Sequence, residues 1–368
     1  MASPDTPIDS GQRLSDWFDE RLRARDLFAA LVHVRIPANA RTYYFGGVTL
    51  FLFGVQVVTG TLLVLYYKPT PDAAFDSVKY ITSVVEFGWL IRSVHHWAAN
   101  LMIVFLVLHL ARVFIQAAYK YPRELIWLMG IGLLAVTIGF GFTGYLLPWD
   151  QRAYWATVVG TEIAGGVPVV GPALLDLLRG GADVTDATLG RFFGMHVLVL
   201  PLLLGGFLVA HLTIVHQLGL ANPRRPTPRE RAVTRTPTAV VPGTTPERLK
   251  PFFPNYVLDE AIAWAAMLAL LVVLASMLPA GLEAKANPIE TPAHVKPEWY
   301  FLAAYQLLKI VPRDVGIMAP IVGIAILGLL PFLDRNPEVR ARKRPLALLL
   351  GLVVAVSVAG LSVWGYYS

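Results

Sequence analysis

Four histidines lie in two pairs inside strongly apolar stretches, His95 with His109 and His196 with His211. An α-helix rises about 1.5 Å and turns about 100° per residue, so the 14-residue step from His95 to His109 returns to nearly the same face about 21 Å farther along. The 15-residue step from His196 to His211 turns about 60° past alignment, an offset that Pro201 between them could absorb by bending the helix. Two such helices facing one another offer two bis-imidazole sites. Neutral imidazole is a frequent axial ligand of haem iron, and haem carries redox chemistry that no side chain has. His96 is the rival to His95, but its 13-residue step to His109 turns about 140° off the face.

Two glycine pairs repeat the period of the first histidine pair: Gly46 and Gly60, and Gly130 and Gly144, each 14 residues apart. Glycine removes the side chain where a bulky planar ligand must approach the backbone, so a matching period on two neighbouring helices is what two stacked haems require. Arg92, one turn before His95, and Arg112, three residues after His109, are candidates to pair with haem propionates, with snorkelling to the headgroups as the competing use. Pro297-Glu298-Trp299-Tyr300 sets one acid among aromatic residues, where a carboxylate could accept a proton from a hydroquinone; the tetrapeptide could equally be an interfacial anchor. His216, five residues beyond His211, and Asp259 and Glu260 could deliver protons to a quinone at the opposite face. His33 and His294 read as ordinary residues, although His294 is near enough to the Pro-Glu-Trp-Tyr loop to touch a docking partner.

These residues must be positioned by membrane-spanning helices. Hydrophobic residues make up 55% of the 368 and charged residues 15%. Apolar runs long enough for a bilayer core of about 30 Å fall at about 45–67, 89–116, 124–146, 194–214, 257–279, 316–333 and 345–366. The expected fold is therefore all-α and polytopic, with seven spans: a four-span bundle over 45–220, a Pro- and Arg-rich linker over 221–256 and a three-span half over 257–368. Residues 13–32, in a cytoplasmic N-terminal segment 1–44, suggest an interfacial amphipathic helix, and 165–181 a short apolar helix on the outer surface. The first 40 residues hold no apolar signal core, so insertion is expected to rest on the spans.

With the N-terminus inside, the inner segments carry 20 basic residues against 9 in the outer loops, which predicts a cytoplasmic N-terminus. His95 and His196 then lie near the outer face, and His109 and His211 near the inner one. The net charge of +6 follows from this topology, with anionic lipid headgroups as a further attraction, and calls for no nucleic acid. Cysteine is absent, which excludes disulfides, cysteine-bound clusters and thioether-linked cofactors.

The strings GWLIRSVHHW (88–97), TGYLLPWDQ (143–151), VPVVGPALLDLLRGG (167–181), ATLGRFFGMH (187–196) and KPEWYFLAAYQLLKIVP (296–312) closely resemble the cytochrome b family of quinol-oxidising bc and bf complexes. The resemblance runs over most of the chain from about residue 15. It implies a four-helix haem bundle with two non-covalent b-type haems, the outer low-potential one on His95 and His196 and the inner high-potential one on His109 and His211. It implies an outer quinol-oxidation site with Glu298 as its acid and Tyr145 in its aromatic surroundings, and an inner quinone-reduction site with His216 as a ligand. A Rieske iron–sulfur protein, a c-type cytochrome and a dimeric complex in a bacterial cytoplasmic membrane are implied as well. The 15-residue histidine step, PWDQ and the seven spans look like the bf type, normally split into two polypeptides and here joined. That type attaches an extra haem through a cysteine where this chain has Tyr44, so no covalent haem is expected there. His216, where the bf type usually has arginine, points to an inner quinone site of respiratory character.

The resulting expectation is the di-haem cytochrome b subunit of a quinol:cytochrome c oxidoreductase working through a Q-cycle. The alternatives are a di-haem membrane anchor relaying electrons from a dehydrogenase or hydrogenase to quinone, which needs no Pro-Glu-Trp-Tyr site, and a haem-free transporter whose histidines relay protons.

Overall fold

The computed structural model describes residues 35–37, 44–219, 249–293 and 295–368. Expectations for residues 13–32, His33, His294 and most of the linker lie outside these residues. Within them, seven helices are long and apolar enough to cross a bilayer. A spanning helix closes its own backbone hydrogen bonds where no water can, which is why these apolar runs fold as helices. They are α1 (Tyr44–Val64), α3 (Gly88–Ile115), α4 (Glu124–Tyr145), α7 (Asp186–Leu218), α8 (Val257–Met277), α10 (Arg313–Leu333) and α11 (Pro345–Tyr367). Shorter helices join them: α2 (Ala74–Ser83), α5 (Gln151–Gly165), α6 (Gly171–Arg179) and α9 (Leu302–Ile310). A two-stranded antiparallel ribbon, β1 (Arg35–Pro37) with β2 (Leu249–Pro251), ties the segment before α1 to the segment before α8.

Two expectations about boundaries need correction. The fourth span starts at Asp186, eight residues before the expected 194, because Thr185 caps it and Asp186 follows in its first turn, ahead of the apolar run. The linker expected to end at 256 gives way to structure earlier: β2 begins at Leu249, and a turn over Phe252–Tyr256, kinked at the extended backbone of Phe253, runs into α8.

The first half is built as two tight pairs, α1 against α3 and α4 against α7, with far fewer close approaches between the pairs. The second half docks on both. Met267, Leu271 and Ala275 of α8 complete a core with Leu52 of α1 and Ala98 and Met102 of α3, and Trp264 stacks on Phe51 with ring centroids 5.5 Å apart. On the other pair, the Trp127 indole of α4 donates to the Leu327 carbonyl of α10 at 2.7 Å.

A polar latch joins the two halves at the end of α3. Arg344, only 1% exposed, bonds Asp334 at 3.1 Å and the Tyr119 hydroxyl at 2.5 Å, while Lys120 pairs with the same carboxylate at 3.1 Å. Burial alone would raise the Asp334 carboxyl, but bonds from Tyr119 and Lys120 and the charges of Lys120 and Arg344 hold it below the usual carboxylate range. A depressed carboxyl stabilises the fold above its unfolded value, and that contribution fades as pH falls through the lowered one. Arg344→Ala would remove one of the two cations paired with a partly buried acid, leaving Lys120 and Tyr119 on it. It should cost about 2 kcal/mol, seen as a lower thermal midpoint in detergent, and the penalty should shrink on acidification.

Candidate functional site

Each of the four glycines lies against one of the four histidines. A Cβ added at Gly46 would come 3.2 Å from His109 Cε1, at Gly60 3.2 Å from His95 Cε1, at Gly130 3.8 Å from His211 Cε1 and at Gly144 2.5 Å from His196 Cε1. The common spacing therefore has a steric cause: α3 brings its imidazoles across α1, α7 brings its own across α4, and side chains are missing where the rings pass. His95 and His196, on opposite pairs, face each other with ring centroids 6.4 Å apart. His96 turns outward beside Trp97 and Asn100.

The 15-residue step is accommodated by a wide turn. Residues Met195–Val199 form a π-turn in which the Leu200 N–H reaches the Met195 carbonyl, five residues back. One residue is taken up there, so the 15-residue step turns about as far as the 14-residue step of α3. Pro201 follows directly and has no N–H to donate into that turn. The bend expected at Pro201 is thus replaced by a π-turn that carries His196 itself.

Hydrogen bonding fixes which ring nitrogen is available. The Thr59 hydroxyl donates to the Val55 carbonyl at 2.7 Å, so its 2.8 Å contact with His95 Nδ1 needs the imidazole to donate. Likewise, Thr143 donates to the Gly139 carbonyl at 2.8 Å and accepts from His196 Nδ1 at 3.2 Å. His211 Nδ1 donates to the Ile126 carbonyl at 3.1 Å. Three rings thus carry the proton on Nδ1 and present the Nε2 lone pair, the state a metal needs. His109 Nδ1 has no partner among the described residues.

Haem fits this donor set. Nitrogen binds a metal at about 2.0 Å, so two imidazoles facing each other across one iron hold their centroids about 6.2 Å apart. The 6.4 Å between His95 and His196 is that separation. At Gly46, Gly60 and Gly144 a Cβ would press on the imidazole, and at Gly130 it would just touch it, so the four rings lie where α1 and α4 carry no side chain.

The two arginines differ. Arg92 donates to the carbonyls of Ala280 and Gly281 at 2.7 and 2.6 Å, so both terminal nitrogens hold the loop after α8. Arg112, in the last turn of α3, lies within electrostatic reach of His109 and Tyr256.

Glu298 sits at the His95/His196 end. Pro297 and Glu298 lead into a 3₁₀ turn over Trp299–Phe301 that opens α9. The Trp299 indole donates to Asn100 of α3 at 2.7 Å, and the Tyr300 ring packs on α4 so closely that a Cβ at Gly141 would lie 2.8 Å from its hydroxyl. Pro297, Glu298 and Trp299 line a cavity of about 520 Å³ together with Arg152, Glu283 and Lys296. Burial raises the Glu298 carboxyl above the usual carboxylate range, and the Arg152 charge opposes that rise. The Tyr145 hydroxyl nearby is buried and has no partner among the described residues, so its O–H is available to a polar group in the cavity.

At the opposite end, Tyr44 donates to Asp259 at 3.0 Å, and Tyr256 shares a hydrogen bond with Glu260. Glu260 lies against Gly47, where a Cβ would collide with its carboxylate, next to the Gly46–His109 contact. His216 is exposed in the last turn of α7.

Thr59, Thr143, Arg152 and Glu283 escaped the sequence reading. The threonines had a signal: each immediately precedes an outer glycine, in the dipeptides Thr59-Gly60 and Thr143-Gly144.

Residues 32–219 match the family described as cytochrome b/b6/petB, and residues 285–368 the family described as cytochrome b(C-terminal)/b6/petD. The cytochrome bc complex cytochrome b subunit of Chlorobaculum thiosulfatiphilum is 40% identical over 93% of this chain and 78% of its own length. Cytochrome b6 of Heliobacterium mobile is 48% identical over 57% of this chain and 99% of its own length. A solved structure described as a hyperthermophilic respiratory complex III matches with a TM-score of 0.82 and 34% identity, over 95% of this chain and 91% of that one.

Proposed function

This chain belongs to the cytochrome b/b6 family and is a multi-pass, b-type cytochrome of a quinol-oxidising bc complex, and we propose that it holds two bis-histidine haems and bifurcates electrons from quinol in a Q-cycle. The observation that carries this reading is the fourfold register of histidine on glycine at two depths, with Glu298 at one of them. His95 and His196 would hold the haem at the Glu298 end, and His109 and His211 the haem at the Glu260 end. When bound, these haems supply a one-electron relay between the two faces.

The chain's own residues do the rest. Thr59 and Thr143 hold their histidines in the ligating tautomer. Glu298, in its partly dry cavity, accepts a proton from the quinol hydroxyl, and Tyr145 offers a hydrogen bond to the same ring. Trp299 and Tyr300 fasten that loop to α3 and α4 and so set where the carboxylate points. At the other end, Asp259 and Glu260 would protonate a reduced quinone, with His216 at the rim.

Membership in a bc complex implies partner subunits. The reading assigns a Rieske iron–sulfur protein and a c-type cytochrome to the Glu298 face, in a dimer within a bacterial cytoplasmic membrane. The positive-inside count supports placing the N-terminus and the Glu260 end in the cytoplasm. The four-span part carries the haems, and the three-span part contributes the Glu298 loop.

Bifurcation has a direct test. Membranes holding the native complex are given a short-chain quinol without oxygen, and ferricyanide is then added. If the first electron must leave to a high-potential partner before the second can enter the haem chain, the oxidant should raise reduced b-haem absorbance transiently. A simple loss of that absorbance would point instead to an anchor that relays electrons without dividing them.

A further inference from the structure

Arg152 is tied to the Glu298 cavity by a set of backbone contacts that its own stability does not require. Its ion pair with Glu283, 2.5 Å long, is 54% and 41% exposed, and a pair so open to water contributes little to folding. Yet both ends of the pair are clamped. Asp150 caps α5 by accepting from the Ala153 N–H at 2.9 Å and uses its other oxygen to accept from the Glu283 N–H at 3.2 Å. The Gln151 N–H donates to the Ala284 carbonyl at 2.9 Å, and the Ala286 N–H to the Trp149 carbonyl at 3.0 Å. The segment before α5 and the segment after α8 thus run side by side, delivering Arg152 and Glu283 together to the cavity that Glu298 lines.

We propose that Arg152, held by Glu283 at the cavity that Glu298 lines, is a positioning residue for Glu298 as the proton acceptor, so that the Arg152–Glu283 pair sets the pH range of quinol oxidation. The proposal rests on reading Glu298 as that acceptor. The charged and titratable groups facing Glu298 are Arg152 from α5, Tyr145 from α4, Tyr300 from its own turn, and Lys296 and Glu283 on the cavity wall. Lys296 donates to the Tyr366 carbonyl at 2.7 Å on the cavity wall and is not among the charges acting on Glu298, and the two phenols are neutral in the working pH range. That leaves Arg152 as the cation whose field reaches the carboxylate, opposing the burial that favours the neutral acid. Glu283 holds the guanidinium in place and also neutralises part of its field.

The two members of the pair should therefore act in opposite directions. Quinol oxidation by the native complex is measured against pH as kcat/KM for Arg152→Gln, Arg152→Lys and Glu283→Gln. Arg152→Gln should move the acid limb up by about one unit, about tenfold slower turnover on that limb, and Arg152→Lys should restore most of it. Glu283→Gln, which leaves the cation unneutralised, should move the limb down. Reduced-minus-oxidised b-haem spectra check that each variant assembles, and the Glu283 variant decides the matter if Arg152→Gln does not. Limbs that overlay the wild type in both variants would overturn the proposal. Glu298→Gln separates the two levels: if it abolishes the limb while the pair variants leave it in place, only this inference fails, whereas an unaltered limb in Glu298→Gln removes the reading on which it rests.

Discussion

Replacing His196 with leucine should give a chain that still folds and still binds one haem, with half the b-haem absorbance of the parent and quinol oxidation at background. Leucine fills similar volume, so the cost in packing is small. The loss falls on the ring that faces His95 at 6.4 Å, and no other imidazole among the described residues is placed to replace it. His96, the nearest alternative, turns away toward Asn100. The same result should follow without touching a ligand. Gly144→Val would place a branched side chain where even a Cβ comes 2.5 Å from His196 Cε1, whereas Gly130→Ala, with 3.8 Å to His211, should be tolerated. Pyridine haemochrome analysis of the purified variants reads both. Two haems retained in His196→Leu, or equal haem content in Gly144→Val and the parent, would contradict the assignment of that pair.

The second large effect is expected at Glu298. An acceptor that takes a proton in the rate-limiting step contributes roughly 100-fold or more, so Glu298→Gln should slow quinol oxidation by about that factor while both haems stay bound. The pH dependence carries the sign. Only the ionised carboxylate can accept, so kcat/KM rises with pH through the Glu298 value. Burial has moved that value above the usual carboxylate range, so the limb lies nearer neutrality than an exposed glutamate would put it. In Glu298→Gln this limb should vanish and leave a low, flat profile. Stopped-flow reduction of the b haem by quinol from acid to neutral pH measures it, and a retained limb at full rate would exclude Glu298 as the acceptor.

Much of this site was legible from residue spacing, for reasons of helix geometry. A 14-residue step is close to four turns, so a ligand pair on one helix and its glycine clearance on the next obey the same arithmetic, and Gly46, Gly60, Gly130 and Gly144 could be read against His95 and His109. The π-turn at Met195–Val199 was harder to foresee. Pro201 signalled that the helix departs from regularity, but a bend and a wide turn both relieve a missing N–H, and the sequence alone does not select between them. The start of α7 at Asp186 lay hidden because hydropathy locates the apolar window and not the polar turn that precedes it. Arg152 and Glu283 stand 131 positions apart in the numbering, and nothing local to either announces the Asp150 cap that brings them together. Contacts of this kind belong to tertiary structure. The Thr59 and Thr143 bonds are intermediate: their dipeptides with glycine were visible, but their meaning depended on a histidine from another helix arriving alongside.

The central claim is that this one chain carries two bis-histidine haems at two depths. A potentiometric titration of the purified protein, following reduced-minus-oxidised absorbance together with total haem per chain, tests it most directly. Two b-type haems per chain, titrating as two one-electron components of separated potential, are the predicted result. A single component with one haem, or folded protein with none, would contradict it.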